Sequence, residues 1–287
     1  MIGIIYNPVT NSGKSADRMK NILSLLDAKG AEYRYVETER AGQAPELAKD
    51  MSAECDIIAA AGGDGTVFEV ANGVYGTGKK MMIIPLGSGN DIARSVKLND
   101  LQDEELVDIL IAGRSRPFDC FTVNGDTIGL EFVTFNLVVN IISMFKDPAN
   151  QSKGYGGLVF KAVRATKPYR YHIKTENGEY DIDSIFLTAQ NTATAGGGLP
   201  IYPATEDDDG KFDLIVSKYT GSIRKYLNLA SLSKGKLSQQ PNITVERVSW
   251  AEITPASNEK YILDGEFFET EGVRVEIAPE KIEMVVR

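Results

Sequence analysis

The sequence predicts an α/β plus β protein, with an N-terminal α/β/α half on a parallel sheet followed by a C-terminal β-sandwich-like half. Three observations predict it. Up to Asp119, apolar strand patterns alternate with helix-period patterns, as in a parallel sheet with crossover helices. Beyond Asp119 most segments read as short strands separated by turns, which favours antiparallel pairing. The 287 residues exceed a typical single core, so two domains are expected, 1–119 and 120–287.

Residues 2–6 read as the first strand and 7–14 as a turn. Met19, Ile22, Leu23 and Leu26 then share one face of a helix that Gly30 can end. Residues 33–38 give the second strand. Residues 56–61 carry no polar side chain after Asp56 and read as a strand buried on both faces, with a helix over 67–74. Residues 81–85 form another strand, Ile92-Ala93-Arg94 opens a helix, and Leu106, Ile109 and Leu110 share a face of a helix over 101–112. In the second half, 122–133, 170–175, 180–189, 212–216, 243–250 and 273–286 read as strands. No repeat or low-complexity tract is evident.

Composition narrows the function. A net charge of -9 argues against a nucleic-acid partner, and the apolar and charged fractions of 43% and 25% are those of a soluble globular chain. His172 is the only histidine, so nucleophile-histidine schemes would hinge on one strand residue with basic and aromatic neighbours. Cys55 and Cys120 are too few and too separated for a zinc set, and a reducing cytoplasm is the simple inference. No leader is expected before Ile2, and no apolar run approaches the ~20 residues of a transmembrane helix. Any membrane contact should be peripheral, at the inner face.

The densest chemical signal is Gly62-Gly63-Asp64-Gly65-Thr66, directly after the strand over 56–61. Without a Cβ, its glycines let anion oxygens approach the main chain, where a helix N-terminus offers free N–H groups. Asp64 would repel a bare phosphate but suits Mg²⁺ bridging to phosphates. The alternative is a tight strand-to-helix turn with Asp64 as its cap. A second loop, Leu86-Gly87-Ser88-Gly89-Asn90-Asp91, follows the next strand and should lie on the same carboxyl edge of the sheet. A third spans 7–15, but Pro8 stands where a Walker A loop needs its first glycine. Gly87-Ser88-Gly89 likewise lacks the last glycine of a dinucleotide fingerprint.

With these residues in view, the chain resembles the diacylglycerol kinase catalytic-domain family, and within it the soluble bacterial lipid kinases. The resemblance rests on Asn7-Pro8 with Ser12-Gly13, Thr38 with Gly42, the loop 62–66 with Glu69 and Asn72-Gly73, and the loop 85–91. It continues through Lys153-Gly154-Tyr155-Gly156-Gly157, Gly196-Gly197-Gly198 with Pro203-Ala204, Asp209-Gly210-Lys211-Phe212 and Asp264-Gly265-Glu266. It implies transfer of the ATP γ-phosphate to a lipid hydroxyl, with diacylglycerol the leading acceptor and phosphatidic acid the product. It implies nucleotide contacts from Asn7, Pro8, Asn11, Ser12, Gly13, Thr38, Gly62, Gly63, Asp64, Gly65, Thr66, Glu69, Gly87, Ser88, Gly89 and Asn90. Glu266 is implied as general base and Asp64 as the carboxylate that Mg²⁺-ATP requires. Asp209 is implied to hold a structural Mg²⁺, with Asp64, Asp91 and Asp119 in a connected acidic network.

A carboxylate of ordinary pKa about 4.3 can orient an alcohol and take its proton late, which suits Glu266; an exposed Glu after an Asp-Gly turn is the other reading. Where relatives carry a glycine-rich stretch, this chain has residues 132–140, so sphingoid bases, undecaprenol and phosphatidylglycerol stay open as acceptors. Residues 132–145 read either as a strand running into a buried helix or as an apolar wall for an acyl chain. NAD kinase, which shares 62–66, and a non-catalytic nucleotide or lipid sensor are the rival functions. Self-assembly is left open. Residues 153–174 hold Lys153, Lys161, Arg164, Lys167, Arg170 and Lys174 with four aromatics and no acid, and 215–245 is also free of acids. Both stretches read as a lipid headgroup interface or as a solvated face.

Overall fold

The computed structural model describes residues 1–150 and 155–287. Lys153 and Gly154, counted above in the 153–157 motif and the basic stretch, lie outside the described residues, as does the side chain of Tyr155. Two compact units divide the chain: 1–120 with 196–198 and 278–287, and 121–195 with 199–277.

The first unit is built on a six-stranded sheet. Its strands run Tyr33–Glu37, Ile2–Tyr6, Ile57–Gly62, Lys80–Pro85, Ile282–Val285 and Ser115–Phe118. All neighbours are parallel except the last pair. Ile2–Tyr6 and Ile57–Gly62 are buried along their whole length, which is why they read as unbroken apolar runs. The helix Ala16–Ala28 packs with Asp103–Ala112, and Ala44–Met51 with Asp64–Val74. The second pair is so close that a Cβ on Gly73 would strike the backbone of Pro45. Arg18 fastens the first pair, with Nε 2.7 Å from Asp103 Oδ1 and a guanidinium N–H donated to the Pro85 carbonyl.

The second unit is an antiparallel, sandwich-like β structure. Its main path runs Glu266–Thr270, Glu259–Leu263, Phe132–Asn136, Gly178–Gln190, Tyr169–Thr175, Trp250–Pro255, Val273–Ile277, Phe121–Val123 and Thr127–Gly129. Gly178–Gln190 is long enough to pair with Tyr169–Thr175 by its first half and Phe132–Asn136 by its second. Its other edge takes Phe212–Lys218, which carries Ile243–Val248. The helices Leu137–Lys146, Tyr155–Ala165 and Ser222–Leu232 contribute apolar side chains to the cluster around Phe132, Phe186 and Ile215.

Three expected strands are corrected. Residues 122–133 break at Asn124 and Gly125, whose φ angles of 53° and 84° make a hairpin turn. Residues 243–250 divide at Ser249, where Glu176 accepts from the amides of Ser249 and Trp250, so the two pieces pair with different partners. Residues 273–286 divide at Pro279, which has no N–H to donate; Val273–Ile277 stays in the second sheet while Ile282–Val285 joins the first. Residues 132–145 are a strand that turns at Asn136 (φ 57°) into a helix whose Leu137 and Val139 are buried. No helix among the described residues is long and apolar enough to cross a membrane.

Candidate functional site

The loops over 62–66 and 86–91 meet in the first unit. Each follows a strand of the parallel sheet and opens a helix, Asp64–Val74 and Asp91–Ser95. The strands are neighbours, so their carboxyl ends bring the loops together: a Cβ on Gly87 would lie 2.5 Å from the Gly63 Cα, an approach only glycine allows. Asp64 fastens the pair. Its Oδ2 accepts the Asn90 N–H at 2.8 Å and its Oδ1 the Asp91 N–H at 2.9 Å. Burial, and after it the charge of Asp91, push the Asp64 carboxyl above its ordinary range, against the pull of these amides. Asn90 holds its own loop closed, its side-chain oxygen accepting from Gly87 N–H and its amide donating to the Gly87 carbonyl.

Asp91 is 2% exposed, and its two oxygens accept the N–H groups of Gly197 and Gly198 at 2.5 and 2.6 Å. Asp64 and Asp91 thus each accept two backbone amides. Arg94 donates to the Gly89 carbonyl and lies against Gly198. Sequence reasoning noted Gly196-Gly197-Gly198 without a role. Its three consecutive residues stand at positive φ, which exposes adjacent amides to one carboxylate.

The N-terminal loop joins this group. Asn7 donates its side-chain amide to Thr66 Oγ1 at 3.1 Å, and its backbone N–H to the Ala61 carbonyl. Pro8 is half-buried beside it, while Asn11, Ser12 and Gly13 are exposed in a turn at φ 52°, 56° and 79°. Thr38 is held by its N–H on the Tyr6 carbonyl, and Ser88 is exposed at the tip of its loop. Glu69 faces inward to the chain: its oxygens accept from Gly42 N–H and Ala44 N–H, at the start of the helix Ala44–Met51. Gly62, Gly63, Gly65 and Gly89 supply the backbone of the paired loops.

The remaining carboxylates have other partners. Asp119 is fully buried 2.8 Å from Lys281 Nζ. In the second unit Asp209 pairs with Arg247 and caps Lys211 N–H, and Arg247 also reaches Glu206. Among the described residues no three His, Cys, Asp or Glu side chains come together as a metal set. Mg²⁺ keeps most of its waters and binds through one or two carboxylates plus substrate phosphates rather than in an all-protein cage. The chemistry of the Asp64 carboxylate would fit such an ion. Each Asp64 oxygen uses one acceptor site on an amide and keeps another.

Glu266 is exposed at the start of Glu266–Thr270, after Asp264 and Gly265 at φ 47° and 93°. Asp264 fixes this turn. Buried at 2% exposure, its carboxylate accepts three amides, Leu130 at 2.6 Å and Glu131 and Phe132 at 2.9 Å. Asp264 thus sets where the following Glu266 begins. His172 lies exposed against Asp181 at 2.9 Å.

Residues 1–123 match the family model described as the diacylglycerol kinase catalytic domain, and residues 136–286 that of the YegS C-terminal NAD kinase beta sandwich-like domain. The chain belongs to the diacylglycerol kinase and YegS-like lipid kinase family. As a member it is an ATP-dependent lipid kinase. It is 25% identical over 275 residues to the diacylglycerol kinase of Bacillus subtilis strain 168, covering 92% of this chain and 89% of the relative. It is 28% identical over 280 residues to the protein named "Probable lipid kinase YegS-like" of Klebsiella pneumoniae strain 342, covering 94% and 92%. Two solved chains from Bacillus anthracis strain Sterne match with TM-scores of 0.82 and 0.78 at 23% and 20% identity, over 100% of this chain and 96% of each. The second is described as a diacylglycerol kinase, and at such identity both show the fold.

Proposed function

We propose that this lipid kinase transfers the γ-phosphoryl group of Mg²⁺-ATP to the free hydroxyl of diacylglycerol, releasing ADP and phosphatidic acid. The observation that carries the nucleotide half is the pair of glycine-rich loops tied together by Asp64 at adjacent strand ends. Their backbone N–H groups and the helix N-terminus at Asp64 suit phosphate oxygens. Bound Mg²⁺ would neutralise charge on the transferring phosphoryl group, with Asp64 and Asp91 as its protein side. The chain itself has little covalent work to do in a loose phosphoryl transfer beyond holding donor and acceptor in place. Glu266 orients the acceptor hydroxyl and takes its proton as the oxygen–phosphorus bond forms. Residues 1–119 serve the nucleotide and 120–287 the acceptor, on the cytoplasmic side of a membrane from which the lipid is drawn. Diacylglycerol as acceptor is supported by the names of the relatives.

Transfer of label from radioactive ATP into a panel of diacylglycerol, sphingosine, undecaprenol, phosphatidylglycerol and NAD tests the reading. Phosphatidic acid should be the labelled product. Label in another lipid or in NAD would replace diacylglycerol, and none at all would leave a binding protein. Glu266→Gln should lower kcat by ~10²- to 10⁴-fold with ATP affinity little changed.

A further inference from the structure

The family resemblance drawn from the sequence implies a structural Mg²⁺ at Asp209, tied to an acidic network that includes Asp119. The residues around these two carboxylates do not fit that ion. Asp119, in the first unit, is fully buried, and its Oδ1 lies 2.8 Å from Lys281 Nζ. Lys281 is carried there by 278–287, which returns to this unit, and its neighbours are pinned beside Asp119. Ala278 N–H donates to the Cys120 carbonyl, Cys120 Sγ donates to the Glu280 carbonyl, and Ile282 pairs with Phe118. One ammonium against one carboxylate is a neutral pair. A divalent ion on the same carboxylate would face that ammonium and leave excess positive charge in the interior, which is costly.

Asp209, in the second unit, is engaged on both oxygens. Its Oδ1 accepts Lys211 N–H at 3.1 Å, and its Oδ2 meets the guanidinium of Arg247, which also reaches Glu206 Oε2 at 3.0 Å. Arg247 is placed by its strand, Ile243–Val248, where it lies opposite Asp213 of the strand that follows Asp209. A planar guanidinium can serve two carboxylates at once, whereas Mg²⁺ demands a near-octahedral set of oxygens. Asp64 is the contrast. Among the described residues no lysine or arginine pairs with it; its partners are amides, and burial and then the Asp91 charge push its carboxyl up. A carboxylate without a counter-ion is one that Mg²⁺ arriving on nucleotide phosphates can neutralise.

We propose that Lys281 and Arg247 take the place of a structural Mg²⁺ in this chain, so that the fold needs no divalent ion and Mg²⁺ enters only with the nucleotide. Each unit carries its own substitute, an ammonium in the first and a guanidinium in the second. The inference goes beyond the kinase reading and does not rest on which hydroxyl is phosphorylated.

Thermal melts of the full chain without nucleotide, in excess EDTA and in millimolar MgCl₂, test it. The wild type should melt at the same temperature in both, whereas a fold that held Mg²⁺ at about a hundred times its Kd would gain roughly 5 to 10 °C. Lys281→Met should lower Tm by on the order of 10 °C in either buffer, because a buried carboxylate loses its counter-ion. D119N/K281M should recover most of that loss, since a neutral amide needs no counter-ion, and its melt decides even where Lys281→Met alone does not fold. In the second unit, the cycle of Arg247→Met, Asp209→Asn and D209N/R247M should show non-additive losses. A wild-type Tm that rises with Mg²⁺, by an amount that Asp119→Asn or Asp209→Asn abolishes, overturns the proposal. So does a D119N/K281M variant that melts as low as Lys281→Met, or additive losses at Arg247 and Asp209. A rise that both single Asp variants keep lies at the nucleotide loops, where the proposal leaves the ion, and supports it. Melting needs no turnover, so a chain that labels no lipid would refute the acceptor reading and leave these ion pairs standing.

Discussion

Asp64 accepts one amide on each carboxylate oxygen, and that sets what an isosteric change does. In Asp64→Asn one oxygen becomes an NH₂ that faces an N–H donor, so one of the bonds to Asn90 and Asp91 is lost and the loops part. The charge suited to Mg²⁺ goes with it. Turnover at saturating Mg²⁺ and ATP should fall by at least ~10²-fold in a folded protein, and near-normal turnover would remove Asp64 from the site. Glu259, in the second unit, is a residue that sequence reasoning passed over. Burial raises its carboxyl to about 7, against the 3.0 Å hydrogen bond from Tyr171, whose own pKa burial and then Glu259 push up. A raised carboxyl favours the folded state while protonated, so its contribution is full below the ordinary carboxylate range and is lost as pH rises through 7. Glu259→Gln should therefore gain thermal stability over wild type at pH 8 and gain little at pH 5. A pH-independent difference in Tm would show that Glu259 does not titrate in this way.

At the scale of elements, the hairpin of Glu259–Leu263 and Glu266–Thr270 depends on one side chain. Asp264→Ala leaves the amides of Leu130, Glu131 and Phe132 without their carboxylate and should cost on the order of 3 kcal/mol in urea unfolding. Because the same turn starts the strand that bears Glu266, turnover of the folded fraction should fall as well. Normal turnover there would separate Asp264 from the positioning of Glu266. Which elements were legible follows from burial. Ile2–Tyr6, Ile57–Gly62 and Lys80–Pro85 are apolar because both faces are covered, and glycine punctuates the loops after them. The paired loops of the candidate site were legible for that reason. Ser222–Leu232 was not, because its exposed Ile223 and Leu227 blur the apolar stripe that betrays a helix. The turn at Asn124 and Gly125 had its signal in the Asn-Gly pair. The bonds from Gly197 and Gly198 to Asp91 had none, since they link residues more than 100 positions apart.

At the scale of the whole molecule, the chain ends by returning to the sheet in which it began. Nothing local to 282–285 could say so, because its apolar pattern fits either sheet and only the tertiary pairing decides. Ile282–Val285 lies between Lys80–Pro85 and Ser115–Phe118, Lys281 reaches Asp119, Val286 donates to the Arg114 carbonyl and Arg287 pairs with Glu105. The last residues thus hold together the unit that carries the paired loops. Ending the chain after Glu280 removes the buried side chains of Ile282, Met284 and Val285, worth roughly 1.5 to 3 kcal/mol each. It also takes the lysine partner from a fully buried carboxylate, a loss of about 3 to 5 kcal/mol. Together these approach the entire stability of about 5 to 15 kcal/mol expected of a domain. The shortened chain should lose the cooperative melt of the first unit and amide protection in Lys80–Pro85, as read by hydrogen exchange. Removing Arg287 alone should cost little, since its bond to Glu105 is an exposed one. A chain ending at Glu280 that still melts cooperatively, with Lys80–Pro85 protected, would mean that the first four strands stand without the closing one.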